Sequence, residues 1–364
     1  MDPDFWLAHW TDGAPAAAQR FHTLNARDVL PLVRTQVPMR FTDYESLENR
    51  VYGFGPHDEP GPIIKMYRPG RWSHAALQDE VTFIEELAAA GLAVLVPQPL
   101  ADGGRIGTWH GIHYVVLDRV IGDRSTMEDR TELRADEVRD LGERVAQLHD
   151  VGEMRDAPHR PRWTPASVLG GNLRFLESTG AVPKSVQQPF RERVEALIEV
   201  CANRFAGVPL LRIHGDLGMN NLLWPGPEPV FMDFDDTMVG PAMQDLLTLD
   251  WGYTVAGQPD TTPVRLGPSA DDAAFDAHYA ARAKVRQLLI EGYRRRRALP
   301  DEAAELVEPL MLMRVMGFTA WHWARRDDPH FPDVRERMAS VEDWQRRLDD
   351  LTRRLQRLTR APSG

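Results

Sequence analysis

The 364-residue sequence predicts an α+β chain of two lobes: a small antiparallel-sheet N-lobe with one main helix, then a large, mostly helical C-lobe. Three observations carry that prediction. Short runs rich in β-branched and aromatic residues, separated by Gly/Pro turns, fill the first ~120 residues. One long helical pattern interrupts them, "SHAALQDEVTFIEELAAAGL" from Ser73 to Leu92. From Leu133 onward, apolar residues recur mainly at helical spacing.

Taken in order, residues 1–20 read as a loosely docked extension, Ala-rich at its end. "ARDVLPLVRTQVP" follows as a short helix ended near Pro38. "SLENRVYGFG" and "GPIIKMYRP" read as two strands around the turn "GPHDEPG". The main helix has Ser73 as its cap and Gly91 as its stop. "AVLVPQPLADGGRIGTWHGIHYVVLDRV" reads as a strand, a turn at Asp102-Gly103-Gly104, and two more strands. The N-lobe therefore spans 21–118, a joint lies near Leu117–Val120, and the C-lobe spans 119–364. In the C-lobe, "ADEVRDLGERVAQLHDVG" puts Val138, Leu141, Val145 and Leu148 on one face. "RERVEALIEVCANRF" is another helix, "PVFMDF" a strand, and "PAMQDLLTLDWGY" a helix again. The polar stretch 257–272 reads as a loop. In the last helix Trp344, Leu348, Leu351, Leu355 and Leu358 alternate at four and three. About two heptads is short for a coiled-coil seam, so packing onto the lobe is expected.

Hydrophobic content of 43% and charged content of 27% are ordinary for a globular chain. A net charge of −11 argues against a dedicated nucleic-acid binder. The single cysteine, Cys201, rules out a disulfide within the chain and suits a cytoplasmic location. "MDPDFWLAHW" has no basic n-region and no long apolar core, so it is not read as a signal peptide. "AAAGLAVLVP" is too short to cross a bilayer. No membrane or nucleic-acid partner is expected, and the chain reads as a monomer. His110 and His113 fit polar groups on a sheet surface better than a metal pair.

Several charges stand in apolar surroundings. Leu77, Glu80, Ile84 and Leu87 share one helix face, so Glu80 needs a cationic partner. Lys65 alternates with Ile63 and Tyr67 on its strand and is expected to pair with Glu80. Asp216 closes the apolar run that begins at Pro209, Asn221 follows five residues later, and Asp233 ends the next strand. Carboxylates and a carboxamide are hard oxygen ligands suited to Mg²⁺. A carboxylate beside such a site can accept a hydroxyl proton. Asp245 shares a buried face with Ala242 and Leu249, where it is expected to accept backbone N–H bonds from the 214–216 turn. For any one of these, ordinary turn chemistry suffices. The ordered set Lys65, Glu80, Asp216, Asn221, Asp233 is the kinase constellation. A P-loop is excluded because no GxxxxGK[ST] occurs. Gly53-Phe54-Gly55 is a lone GxG in a hairpin and not a Rossmann signature.

With "SLENRVYGF", "IIKMYRPGRWS", "HGDLGMNNLLW", "FMDFDD" and "GPAMQDL", the sequence resembles the aminoglycoside phosphotransferase and choline kinase-like branch of the protein-kinase fold. It resembles more closely the bacterial stress response kinase A family of Ser/Thr protein kinases. The resemblance runs from about Phe41 to the region of Trp323 and implies a bilobal protein-kinase-like fold that uses ATP and Mg²⁺. It implies that Lys65 holds the α/β-phosphates, Glu80 holds Lys65, and Ser46 lies in the nucleotide-covering loop. Leu117 and Val120 would receive adenine. Asp216 would be the catalytic base, Asp233 would serve catalysis as a metal ligand, and Asn221 and Asp233 would bind Mg²⁺. His214 would be structural.

One departure stands out: family members usually carry a second His two residues after the catalytic Asp, and here that position is Gly218. The expected reaction is phosphoryl transfer to a protein Ser/Thr hydroxyl. A small-molecule kinase for an amino alcohol, aminoglycoside or homoserine-like acceptor is the alternative. A nucleotide-sensing pseudokinase is a third reading, which Gly218 permits and the intact Lys65, Asp216, Asn221 and Asp233 oppose. An acidic cleft would favour a cationic small acceptor.

Overall fold

The computed structural model describes residues 6, 9, 10, 13–33, 40–44, 46–121, 123, 124, 132–250, 252–257, 272–328 and 334–359. Most of the 257–272 loop, and the stretch before Pro38 that was to end the first short helix, lie outside these residues. No helix among the described residues is long and apolar enough to cross a membrane.

The N-terminal half builds a five-stranded sheet, every neighbouring pair antiparallel, from β1 (Phe41–Asp43), β2 (Arg50–Phe54), β3 (Pro62–Met66), β4 (Gly107–Trp109) and β5 (Ile112–Asp118). Their order is β1-β2-β3-β5-β4. Strand alternation sorts the two faces. Ile64 and Met66 pack with Ala17 and Phe21 from helix α1 (Pro15–His22). Lys65 has the opposite parity, the same as Tyr67, which packs with Leu77 and Val81 of α2 (His74–Ala89). Ser73 caps α2 through the Ala76 N–H at 3.1 Å, and Gly91 at φ +81° ends it.

The stretch after α2 departs from expectation. Residues from Ala93 make no strand of this sheet. Phe231 N–H donates to the Ala93 carbonyl at 2.9 Å, and Leu95 N–H donates to Phe231 at 3.2 Å. Pro97 and Pro99 lack the N–H a further ladder would need. His110 sits in the β4–β5 turn, and His113 Nδ1 bonds the Thr108 hydroxyl at 2.9 Å.

The C-terminal part is mostly helical: α3 (Ala135–Glu153), α4 (Gly171–Ser178), α5 (Lys184–Arg204), α6 (Met243–Asp250), α7 (Asp272–Tyr293), α8 (Val307–Ala324) and α9 (Val341–Thr359). Short sheets interrupt it, including a three-stranded one in which Asp123–Arg124 also pairs with Leu222–Trp224, and a parallel pair of Glu132–Leu133 with Thr254–Val255. β6 (Leu211–Ile213) pairs with β9 (Met238–Gly240), and β7 (Leu222–Trp224) pairs with β8 (Val230–Phe231). The stripe of α9 is used inside the lobe, where Trp344 is fully buried edge-on against Phe190 of α5.

Residues 6, 9 and 10 are more firmly held than the sequence suggests. Trp6, His9 and Trp10 are buried. The Trp6 indole N–H donates to Ser167 at 3.1 Å, and that of Trp10 to Asn172 on α4 at 2.8 Å. His9 donates through Nδ1 to the Arg71 carbonyl at 3.1 Å. Three aromatic residues at helical spacing thus bridge α4 and the segment after β3. The physical reason is burial: two indoles remove a large apolar area from water while each N–H finds a partner.

Candidate active site

The turn carrying Asp216 is built from beneath. Gly215 has φ +90°, and a Cβ there would collide with the Asp236 carbonyl, so only glycine fits. Asp245, 0% exposed, accepts the His214 N–H at 2.9 Å and the Gly215 N–H at 2.8 Å. It also accepts from His149 Nε2 at 3.1 Å, while His149 Nδ1 meets the Tyr293 hydroxyl at 3.1 Å. Tyr293 therefore donates to His149, and His149 donates to Asp245. Burial opposes the Asp245 charge, but the His149 hydrogen bond and the Gly215 N–H hold its carboxyl below the usual range. His214 packs at 4.5 Å on Phe234 and donates to the Met232 carbonyl at 2.9 Å, a structural role.

Above this base stand the polar groups. Asn221 donates through Nδ2 to the Asp216 carbonyl at 2.8 Å and closes the loop between them. Asp233 is in the left-handed region, φ 60° and ψ 60°, which turns its side chain out after β8. It is 41% exposed and accepts from Lys65 Nζ at 2.6 Å. Asp216, 44% exposed, accepts from Arg314 of α8 at 3.0 Å on one oxygen. Asp236 is raised to about 7 by burial and by the carboxylates of Asp235, Asp216 and Asp233, with Arg71 opposing. The four carboxylates of Asp216, Asp233, Asp235 and Asp236 thus stand close enough to act on one another, each with a cation beside it.

The expected Lys65–Glu80 ion pair is not formed. Glu80 is buried, but it accepts from Arg160 at 2.5 Å and from the Tyr67 hydroxyl at 2.9 Å. Arg160 also donates to the Asp235 carbonyl at 2.7 Å and the Ala76 carbonyl at 2.8 Å. A planar fork satisfies three acceptors in a dry site, which a single ammonium does not do. Lys65 instead turns to Asp233 and, at 3.8 Å, to Asp235. Glu80 acts on it only through space. Burial works against the Lys65 charge, and Asp233, Asp235 and Glu80 together hold its pKa above the usual range.

Ser46 lies in the β1–β2 loop, where its hydroxyl accepts the Asn49 N–H at 3.3 Å. The same loop is pinned by a residue the motif reading passed over. Glu48 accepts from Arg325 at 2.5 Å and from the Trp321 indole at 2.7 Å, and pairs with Arg68 at 3.3 Å. Arg71 ties the loop's neighbours inward, bonding Asp235 and, at 2.5 Å, Asp236. Asn49 bonds Asp235 at 3.1 Å. "ENRVY" and "KMYRPGR" thus meet as a charge network. Leu117 and Val120 are both half-buried, on either side of Arg119, which binds the Phe54 and Glu59 carbonyls. Arg160 stands in a stretch without pattern. Arg314 had the signal that exposed Glu80, a lone charge in an apolar helix.

The family model described as "Phosphotransferase enzyme family" matches residues 42–299. Stress response kinase A of Salmonella typhi is 28% identical over 331 residues, covering 90% of this chain and 91% of that protein. The Serine/threonine protein kinase RdoA of Salmonella typhimurium (strain LT2) matches at the same identity and coverage. Among solved structures, the amicoumacin kinase hAmiN, in complex with AMP-PNP, Ca²⁺ and Ami, superposes with TM-score 0.65 at 18% identity, covering 92% of this chain and 94% of that one. A microcompartment-associated aminopropanol kinase superposes at 0.64 and 18%, covering 92% and 97%. These likenesses agree with the bilobal, kinase-like α+β fold.

Proposed function

The chain belongs to the phosphotransferase enzyme family and is an ATP-dependent phosphotransferase, and from that premise we propose that it is a Ser/Thr protein kinase of the stress-response type. Asp216 is the base that orients and deprotonates the acceptor hydroxyl. Lys65 holds the α/β-phosphates, Ser46 belongs to the covering loop, and Leu117 and Val120 flank adenine. Glu80 acts on Lys65 at one remove, as the anchor that fixes Arg160 and Tyr67 behind it. Asn221 and Asp233 hold Mg²⁺, which when bound neutralises charge on the phosphate oxygens. Asn221 uses its Nδ2 on the Asp216 carbonyl and keeps its amide oxygen, and Asp233 is 41% exposed, so both present hard oxygen donors of the kind a divalent cation takes.

The observation that carries the reading is the setting of Asp216. Its backbone turn is clamped by Asp245, its carboxylate is 44% exposed, and its charge acts on the neighbouring Asp236. A merely structural aspartate would be enclosed, as Asp245 is. The likeness to RdoA over 90% of the chain supports a protein hydroxyl as acceptor.

The test is Asp216→Asn, assayed for nucleotide binding and for phosphate transfer to serine peptides and to amino alcohols. Affinity should hold while transfer falls by roughly 10²–10⁴-fold, the range for a positioned base. Full transfer in the variant would end the mechanism. Transfer by the parent to amino alcohols alone would replace the protein substrate with a small one.

A further inference from the structure

Arg314 is a cation beside the Asp216 turn that the motifs do not include. It comes from α8, well outside the catalytic loop, and its side chain is 13% exposed. One terminal nitrogen donates to Asp216 at 3.0 Å, and no other carboxylate among the described residues shares it. Its Nε is enclosed and has no acceptor, so the single bond leaves the fork under-satisfied. The guanidinium lies 5.2 Å over the ring of Phe318, one helical turn further on and 45% exposed. Ring and cation thus form a shelf beside Asp216. Gly218, where the family's histidine would stand, has no atom of the described residues within 4 Å of where a Cβ would be, and it adds no competing group.

The charge balance is as telling as the contact. A cationic acceptor, such as an amino alcohol, needs carboxylates left free to receive it. Among the described residues, the carboxylates near the turn already have cations or N–H donors. Asp216 has Arg314, Asp245 has His149 and two backbone N–H groups, and Asp236 has Arg71. Asp250, at the end of the helix that carries Asp245, is enclosed and paired with Arg286 at 2.6 Å. An ammonium beside the reacting hydroxyl would meet Arg314 and be repelled. An anionic oxygen group there would meet an under-satisfied guanidinium, whose fork matches carboxylate and phosphoryl geometry.

We propose that Arg314 selects the acceptor: the protein hydroxyl delivered to Asp216 is flanked by an anionic oxygen group, and hydroxyls flanked by ammonium groups are rejected. This rests on Asp216 as the base, and it adds the chemical class of the acceptor. The anion is a neighbouring carboxylate or a neighbouring phosphoryl group. Arg314 acts on acceptor binding, so its effect falls on KM more than on kcat.

The experiment uses the full chain with Mg·ATP and three serine-peptide pools. The serine is flanked on both sides by Asp, by phosphoserine or by Lys. The parent should prefer the Asp or phosphoserine pool over the Lys pool on the order of tenfold or more, the effect of one partly screened charge at close range. Arg314→Gln should bring that ratio near one, Arg314→Lys should keep part of it, and Arg314→Glu should reverse it. A preference for one anionic pool alone identifies the anion as carboxylate or as phosphoryl. Equal use of the Asp, phosphoserine and Lys pools by the parent, or an unchanged ratio in Arg314→Gln, overturns the proposal. The same pools are titrated by fluorescence polarisation against protein loaded with AMP-PNP. If no pool is phosphorylated, the protein-kinase reading fails, while the binding ratio still decides the role of Arg314.

Discussion

Replacing Asp245 with Asn tests whether a buried carboxylate holds the turn that carries Asp216. In the native site one oxygen accepts the Gly215 N–H at 2.8 Å, and the other accepts both the His214 N–H at 2.9 Å and His149 at 3.1 Å. Asn keeps one acceptor oxygen. Its best orientation retains the oxygen with two donors and points the new NH₂ at the Gly215 N–H. One buried N–H then loses its partner, a cost of about 1–3 kcal/mol. The two remaining bonds lose their charge assistance, and with it roughly half their strength. Together these give a loss of about 2–5 kcal/mol, shared between the Gly215 N–H and the bonds to His214 and His149. A shift of about 1 Å in that turn can cost about 10²-fold in transfer. Lys65 and Asp233 are on other segments, so nucleotide affinity should be near the parent's. Urea unfolding, single-turnover transfer and nucleotide titration read the three quantities. If Asp245→Asn unfolded at the parent's midpoint and transferred at the parent's rate, the clamp would have no role.

Three further outcomes follow from the same geometry. Arg160→Met leaves Glu80 in a dry site with only the Tyr67 hydroxyl, and should destabilise the fold by about 3–5 kcal/mol in denaturant unfolding; a change under about 1 kcal/mol would mean Lys65 can take over. Gly215→Ala forces a Cβ against the Asp236 carbonyl at φ +90°, so transfer should fall while far-ultraviolet circular dichroism stays native-like; an active Gly215→Ala would contradict the close approach. Burial and the Arg71 charge hold His9 well below its ordinary 6.5. The unfolded chain therefore takes up a proton that the folded chain refuses. His9's contribution is complete above pH 6.5 and is lost as pH falls below it. Proteolysis within the first twenty residues should accelerate between about pH 7 and pH 5, and His9→Gln should flatten that dependence; identical profiles would remove His9 as the cause.

Local pattern was enough to read the two-lobe layout, the capped α2, and the order Lys65, Asp216, Asn221, Asp233. Strand alternation and helix periodicity are short-range properties, visible within a window of a dozen residues. The same logic found Asp245, because a carboxylate inside an apolar helix face must have donors nearby. It flagged Glu80 as well, but not the partner. Which cation reaches Glu80 depends on where residue 160 crosses α2, and nothing within a few residues of Arg160 records that crossing.

The tertiary structure decided the pairings. Lys65 goes to Asp233 because the ammonium serves one close acceptor, while Arg160 serves Glu80 and two carbonyls at once. Glu48 is pinned by Arg325 across 277 residues, and Asp216 is met by Arg314 across 98. The tryptophans of the first ten residues looked like a loose extension because their partners, Ser167 and Asn172, lie some 160 residues away. A sequence states that a buried charge or indole needs a partner, since leaving it alone costs several kcal/mol. Only the folded chain brings the candidates within about 3 Å, the range over which a hydrogen bond distinguishes one from another.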